Sequence, residues 1–118
     1  MDPLPEEWQL LSFFETEPIL GDADLPWPYN SLIYDLERDA DSIHCELRPS
    51  YERLWLVWNR EGTEILHLDL NWVSGITIET GGDRELLTAT FRDTFLLPLE
   101  LQLKPSVTVT WGTSAKLP

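Results

Sequence analysis

His44, Cys45 and His67 are the side chains of this 118-residue sequence suited to bind a soft metal or to serve a nucleophile as its base. A metal site needs ligands that converge from adjacent elements, with hydrogen-bonded support behind them. Alternation puts His44 and His67 outward and Cys45 inward, on runs separated by a further run. The expectation is two surface imidazoles, one core thiol and no metal. His67 and Asp69 share a face at i, i+2. A base and an acid alone do not make a nucleophilic site; a third group must sit in the same cleft. The sequence has no G-x-S-x-G elbow, no Walker A loop and no G-x-G-x-x-G fingerprint. The reading is a protein that is not an enzyme, with no catalytic residue and no cofactor.

The carboxylates point elsewhere. Asp35, Glu37, Asp39 and Asp41 recur at every second position. On an extended chain Asp35 and Glu37 fall on one face about 7 Å apart, and a turn near Asp39-Ala40-Asp41 brings further charge beside them. Asp22 and Asp24 stand upstream, with Trp27 and Tyr29 in between. Like charges in a row cost stability, which a basic partner would offset. Carboxylates around exposed aromatics are also a hot-spot arrangement for such a partner. The candidate partner-binding set is therefore Asp22, Asp24, Trp27, Tyr29, Asp35, Glu37, Asp39 and Asp41. The alternative is a solvated sheet face that only keeps the chain soluble.

The charge balance agrees with a basic partner. Twenty-one acidic against eight basic residues give −13 at pH 7. Residues 1–50 hold 12 Asp/Glu against Arg38 and Arg48, a balance of −10, whereas residues 51–118 carry only −3. Phosphate binding needs clustered Lys/Arg, so nucleic acid is disfavoured, and anionic lipid headgroups repel such a surface. No stretch approaches the roughly 18 apolar residues that span a bilayer. The start, Met1-Asp2-Pro3-Leu4-Pro5-Glu6-Glu7, lacks a basic region followed by an apolar run. A single cysteine excludes an intramolecular disulfide and suits a reducing compartment. These features together lead to an expected cytoplasmic location.

The elements that must position these residues follow from periodicity. Hydrophobic content of 42% supports a real core, in which several of the six tryptophans are expected. Residues 1–30 contain five of the nine prolines. Pro5 to about Phe14 reads as a short helix opened by proline and early glutamates, although a strand fits so short a run nearly as well. Gly21-Asp22-Ala23-Asp24 reads as a turn. Leu25-Pro26-Trp27-Pro28-Tyr29 reads as an extended strap, either a ligand for a proline-recognition domain or, preferably, a cover for Trp55 and Val57.

From Ser31 the period becomes two, giving eight runs centred on Leu32–Glu37, Ile43–Arg48, Leu54–Trp58, Ile65–Leu70, Ile76–Glu79, Leu87–Arg92, Leu97–Leu103 and Val107–Trp111. The third run is apolar on both faces and so central. Arg60-Glu61-Gly62 and Gly81-Gly82-Asp83 are hairpin turns. Pro98 implies an edge or a bulge for the seventh run. The fold expected is mostly β: an antiparallel meander forming a sandwich or curled half-barrel, with a short N-terminal helix or strap. One domain spans 1–118, with 1–30 as the helix or strap and 31–112 as the β-sheet core.

From Trp27-Pro28-Tyr29 through Asp39, and again in the run Leu66–Ile78, "LHLDLNWVSGITI", the chain resembles small acidic immunity proteins of bacterial polymorphic toxin systems. The resemblance covers about residues 26–80. It departs where one such family has His-Asp after the Trp-Pro opening and this chain has Asn30-Ser31, so no binding residue is carried over. It implies a cytosolic inhibitor that binds a toxin domain and performs no chemistry. Residues and resemblance converge on a non-catalytic acidic protein that neutralises or chaperones a basic protein partner, such as a toxin domain. The alternatives are a structural component pairing through a sheet edge such as Val107–Trp111 and, less favoured, a small hydrolase with a pocket around His67.

Overall fold

Period-two alternation sorts the chain into two antiparallel sheets. The computed structural model describes residues 1–81 and 84–112. The first sheet runs in chain order through β1 (Ile19–Leu20), β2 (Leu32–Arg38), β3 (Asp41–Arg48), β4 (Arg53–Arg60) and β5 (Thr63–Leu70). The second holds β6 (Val73–Gly81), β7 (Arg84–Phe91), β8 (Leu99–Gln102) and β9 (Thr108–Thr110), again in chain order. Both are meanders, because the connections are too short for crossovers. The β4–β5 turn shows why: Glu61 and Gly62 have φ of 51° and 77°, the left-handed pair whose twist matches that of the flanking strands. The Gly82-Asp83 part of the next expected hairpin lies outside the described residues.

A single core lies between the sheets. The inward side chains include Leu32, Tyr34, Ile43, Cys45, Leu54 and Leu56 from the first sheet, and Ile76, Leu87, Ala89, Leu99 and Leu101 from the second. Helix α1 (Glu7–Phe14) contributes Leu10, Phe13 and Phe14 to the same core. Phe14 stacks on Tyr34 with ring centroids 4.2 Å apart. The helix opens at Glu6, whose backbone N–H donates to the Gln9 side chain at 2.8 Å. It ends at Glu15 in the left-handed region (φ 56°). The Glu15 carboxylate receives Arg38 from β2 and Lys104 from the segment after β8, tying helix and sheets together. Lys104 first, then Arg38, hold that carboxyl below its ordinary range. At the chain start, Asp2 N–H donates to Ser74 O and Ile76 N–H to Pro3 O, at 2.9 and 2.8 Å. A Cβ on Gly75 would fall 2.6 Å from Pro3 Cδ and 2.8 Å from Asp2 O, so glycine permits this close approach.

The mostly β, two-sheet fold with a short N-terminal helix is the expected one, and five details differ. Trp27–Tyr29 forms a 3-10 turn rather than an extended strap, with Tyr29 N–H donating to Pro26 O and Asn30 N–H to Trp27 O. Pro28 fits inside such a turn because it lacks only a donor the turn does not need. The segment does not cover Trp55 either: Trp27 packs against the main core, and Trp55 remains 37% exposed. Pro98 precedes β8 instead of lying within it, and β8 is paired on both sides, so no edge is implied. The tryptophans are mostly outside: Trp8, Trp55, Trp72 and Trp111 are exposed, and Trp27 and Trp58 are half-buried against the core. A ninth strand, β1, also exists; its two residues gave no alternation to read.

A face of the first sheet open to solvent

The inward residues of the first sheet occupy alternate positions, so its other face carries the rest. Register aligns them in rows. Asp35, His44, Val57 and His67 form one row across β2, β3, β4 and β5. Ile33, Glu46, Trp55 and Asp69 form the next. Trp55 therefore stands mid-face. Its indole N–H donates to His67 Nε2 at 3.0 Å, and the two ring planes lie 12° from parallel. His44 meets it edge-on at 6.2 Å between centroids. His44 Nδ1 donates to Asp35 Oδ1 at 2.6 Å, and His67 Nδ1 lies 3.3 Å from Glu64 Oε1. Arg53 donates to both oxygens of Asp69 at 2.8 and 3.0 Å. Arg48 Nε donates to the buried Glu46 at 2.8 Å. Hydrogen bonding to Asp69, then the attraction of that charge, raises the Arg53 pKa.

Each end of this face opens into a recess. At one end, about 430 Å³ is lined by residues including Asp22, Leu25, Tyr29, Ile33, Arg48 and Tyr51. At the other, about 560 Å³ is lined by residues including Asp35, Glu37, Ser42, His44 and Asn59. Asn30, 3% exposed, builds the first recess. Its Oδ1 accepts from the N–H groups of Asp22 and Ser31 at 3.0 and 2.9 Å, and its Nδ2 donates to Asp22 O and to Leu25 O. That amide folds the turn back and leaves Tyr29 two-thirds exposed.

The candidate residues named from sequence thus separate. Asp35 and Glu37 share the open face, as alternation requires. Asp22 and Tyr29 line the opposite recess, and Asp24 is exposed in the adjoining turn, its N–H donating to Asp22 Oδ1 at 3.0 Å. Trp27 turns to the core. Asp39 occupies the β2–β3 turn with φ 53°. Asp41 is buried at the start of β3, where it accepts from Arg60 Nε and Trp58 Nε1, both at 2.8 Å. Those bonds, Arg60's first, hold its carboxyl below the usual range. Asp69 pairs with Arg53 rather than His67, and Cys45 lies inside, its thiol pushed up to about 12 by burial. Among the described residues, no three His, Cys, Asp or Glu side chains group as metal ligands. No described helix is long and apolar enough to cross a membrane. Sequence reasoning missed Trp55, Tyr51, His44 and His67 as members of one surface. The signal was the doubly apolar β4, whose outer residues had no cover.

This geometry defines a class: a two-sheet antiparallel β protein presenting one polar, aromatic-centred sheet face to solvent. No family model matches the chain, and no curated protein matches it significantly. Among solved structures it is similar to a chain of a contact-dependent growth inhibition toxin–immunity protein complex from Klebsiella pneumoniae 342. The TM-score is 0.80 at 22% identity, over 94% of this chain and 96% of that one. The two share a fold.

Proposed function

We propose that this protein is the immunity member of a toxin–immunity pair: a non-catalytic, acidic, cytoplasmic bacterial protein that neutralises a basic toxin domain. The toxin docks on the open face of the first sheet. The observation that carries this reading is that face itself, where Trp55 shares the surface with Asp35, Glu37, Glu46, Glu64 and Asp69, with Arg48 and Arg53 as cations among the described residues. A partly desolvated aromatic inside a charged surround is the anatomy of an interface anchor. The negative surplus of residues 1–50 selects a basic partner and speeds encounter with it. The similarity to a chain of a toxin–immunity protein complex supports the same reading. Asp35, Glu37, Asp22 and Tyr29 are assigned to contact, and Asp24 and Asp39 to steering. Trp27 and Asp41 hold the two ends of the surface in place.

The test is titration against a toxin domain that this protein protects against when the two are co-expressed. Asp35→Lys with Glu37→Lys turns two attractions into repulsions and is expected to cost at least about 2 kcal/mol of binding. Much of that loss appears in the association rate and shrinks as salt rises. Folding is little changed, because exposed charges contribute little to stability. Glu85→Lys with Glu100→Lys, an equal charge change on the second sheet, is the control. Equal losses from both pairs would show that net charge matters and this face does not. No loss from either would refute docking at an acidic surface.

A further inference from the structure

The contact between Trp55 and His67 has a protonation requirement. An indole N–H can only donate. His67 Nε2, 3.0 Å away, must therefore present its lone pair, which places the ring proton on Nδ1, towards Glu64 Oε1 at 3.3 Å. The two ring planes lie 12° from parallel with centroids 5.7 Å apart, so the rings are offset enough for the N–H to reach Nε2. In the imidazolium both nitrogens carry hydrogen. Two donors then meet where one hydrogen bond stood. Rotating His67 away would forfeit Glu64, whose attraction the new charge strengthens. With His67 kept beside Glu64, the half-exposed Trp55 is the ring that gives way.

The surrounding charges act in the same direction. His67 is flanked on β5 by Glu64 and Asp69, and on β4 by Trp55, Val57 and Arg53. β5 is an edge of the first sheet, and no further strand of the described residues faces it. His44 is flanked by Asp35 and Glu37 on β2, Ser42 and Glu46 on β3, and Trp55, Val57 and Asn59 on β4. Arg48 already pairs with Glu46. With both imidazoles neutral, five carboxylates against Arg48 and Arg53 leave the face at −3; with both protonated it is −1.

We propose that the docking face carries a proton switch: protonating His67 releases Trp55 and, with His44, removes most of the face's negative charge, so a bound basic partner loosens on acidification. The docking half of this proposal rests on the function proposed above; the release of Trp55 stands independently.

Two measurements separate the halves. In ¹H–¹⁵N spectra, with the Trp55 indole signal assigned through Trp55→Phe, the protein is titrated from about pH 8 to about pH 5, where imidazoles change charge. The Trp55 signal is expected to move with the same midpoint as the His67 ring. In His67→Gln, whose amide oxygen can accept but does not titrate, it is expected to stay still. A Trp55 signal indifferent to His67 titration, or one moving equally in His67→Gln, overturns the switch. For docking, a deca-arginine peptide is titrated calorimetrically at about pH 7.5 and about pH 5.5. Affinity is expected to fall about tenfold in the wild type, and less than about twofold in His44→Gln with His67→Gln. A wild-type affinity that does not fall overturns control of docking by the switch. Absence of peptide binding at both pH values overturns the basic-partner reading, while the Trp55 signal still decides whether the switch exists.

Discussion

Replacing Asn30 with alanine removes one small side chain and four hydrogen bonds: two accepted from the Asp22 and Ser31 N–H groups, two donated to the Asp22 and Leu25 carbonyls. Each neutral bond contributes about 0.5–1.5 kcal/mol net, so four set a ceiling of about 6 kcal/mol. The site is part-buried, and water can reach some of the freed groups, which brings the expected loss to about 2–4 kcal/mol. That is a large share of a typical domain's stability of about 5–15 kcal/mol. Urea unfolding followed by far-UV circular dichroism reads it as a midpoint lowered by about 1–2 M. Asn30→Asp keeps both acceptor bonds and loses both donors, so it is expected to fall between wild type and alanine. If Asn30→Ala lies within about 0.5 kcal/mol of wild type, the amide does not hold the turn, and the recess holding Tyr29 needs another explanation.

Further outcomes follow from the same side chains. Phe14→Ala, which empties the site stacked on Tyr34, is expected to cost about 3–5 kcal/mol in the same unfolding assay. Asp41, Glu15 and Glu52, the last held by hydrogen bonds from Arg92, have folded pKa values below their ordinary ones, so their contribution is full above the ordinary carboxylate range. It disappears as pH falls through the lowered folded values. Urea midpoints measured between neutral pH and about pH 3 should therefore decline, and Asp41→Asn should make the decline shallower. Cys45, enclosed and with its thiol pushed up to about 12, is expected to react with a disulfide reagent only at the rate of unfolding. Prompt labelling of the native protein would show the core to be open there.

Alternation alone carried most of the architecture. It located β2 to β9 because most of these strands turn one face to the core, and a one-residue slip would expose that face. It also placed Asp35 with Glu37 on one outer face and Cys45 inside. What alternation cannot express is which strands pair. The group of Trp55, His44, His67 and Asp35 comes from three different register relations across four strands. Each side chain is unremarkable in its own run. Asp41 misled for a related reason: its fate is set by Arg60 and Trp58, nearly twenty positions away, which convert a surface charge into a buried, bonded one. Trp27-Pro28-Tyr29 misled locally, since prolines permit both an extended strap and a tight turn. Asn30, through bonds reaching back to Asp22, selects the turn.

The order of the strands bears on how the chain acquires this shape. Each ladder joins strands adjacent in sequence, so hairpins close over short loops, and each new strand adds to an edge that already exists. The first sheet is complete at Leu70, before any residue of the second is required for its backbone pairing. Asp2 and Pro3 are placed differently, since their backbone partners are Ser74 and Ile76. On a ribosome they are made well before those partners and secured late. Synthesis thus builds a five-stranded platform whose inner face waits for the second half of the chain to cover it. During that interval the growing chain exposes Leu54 and Leu56, and it is most open to premature association with other chains.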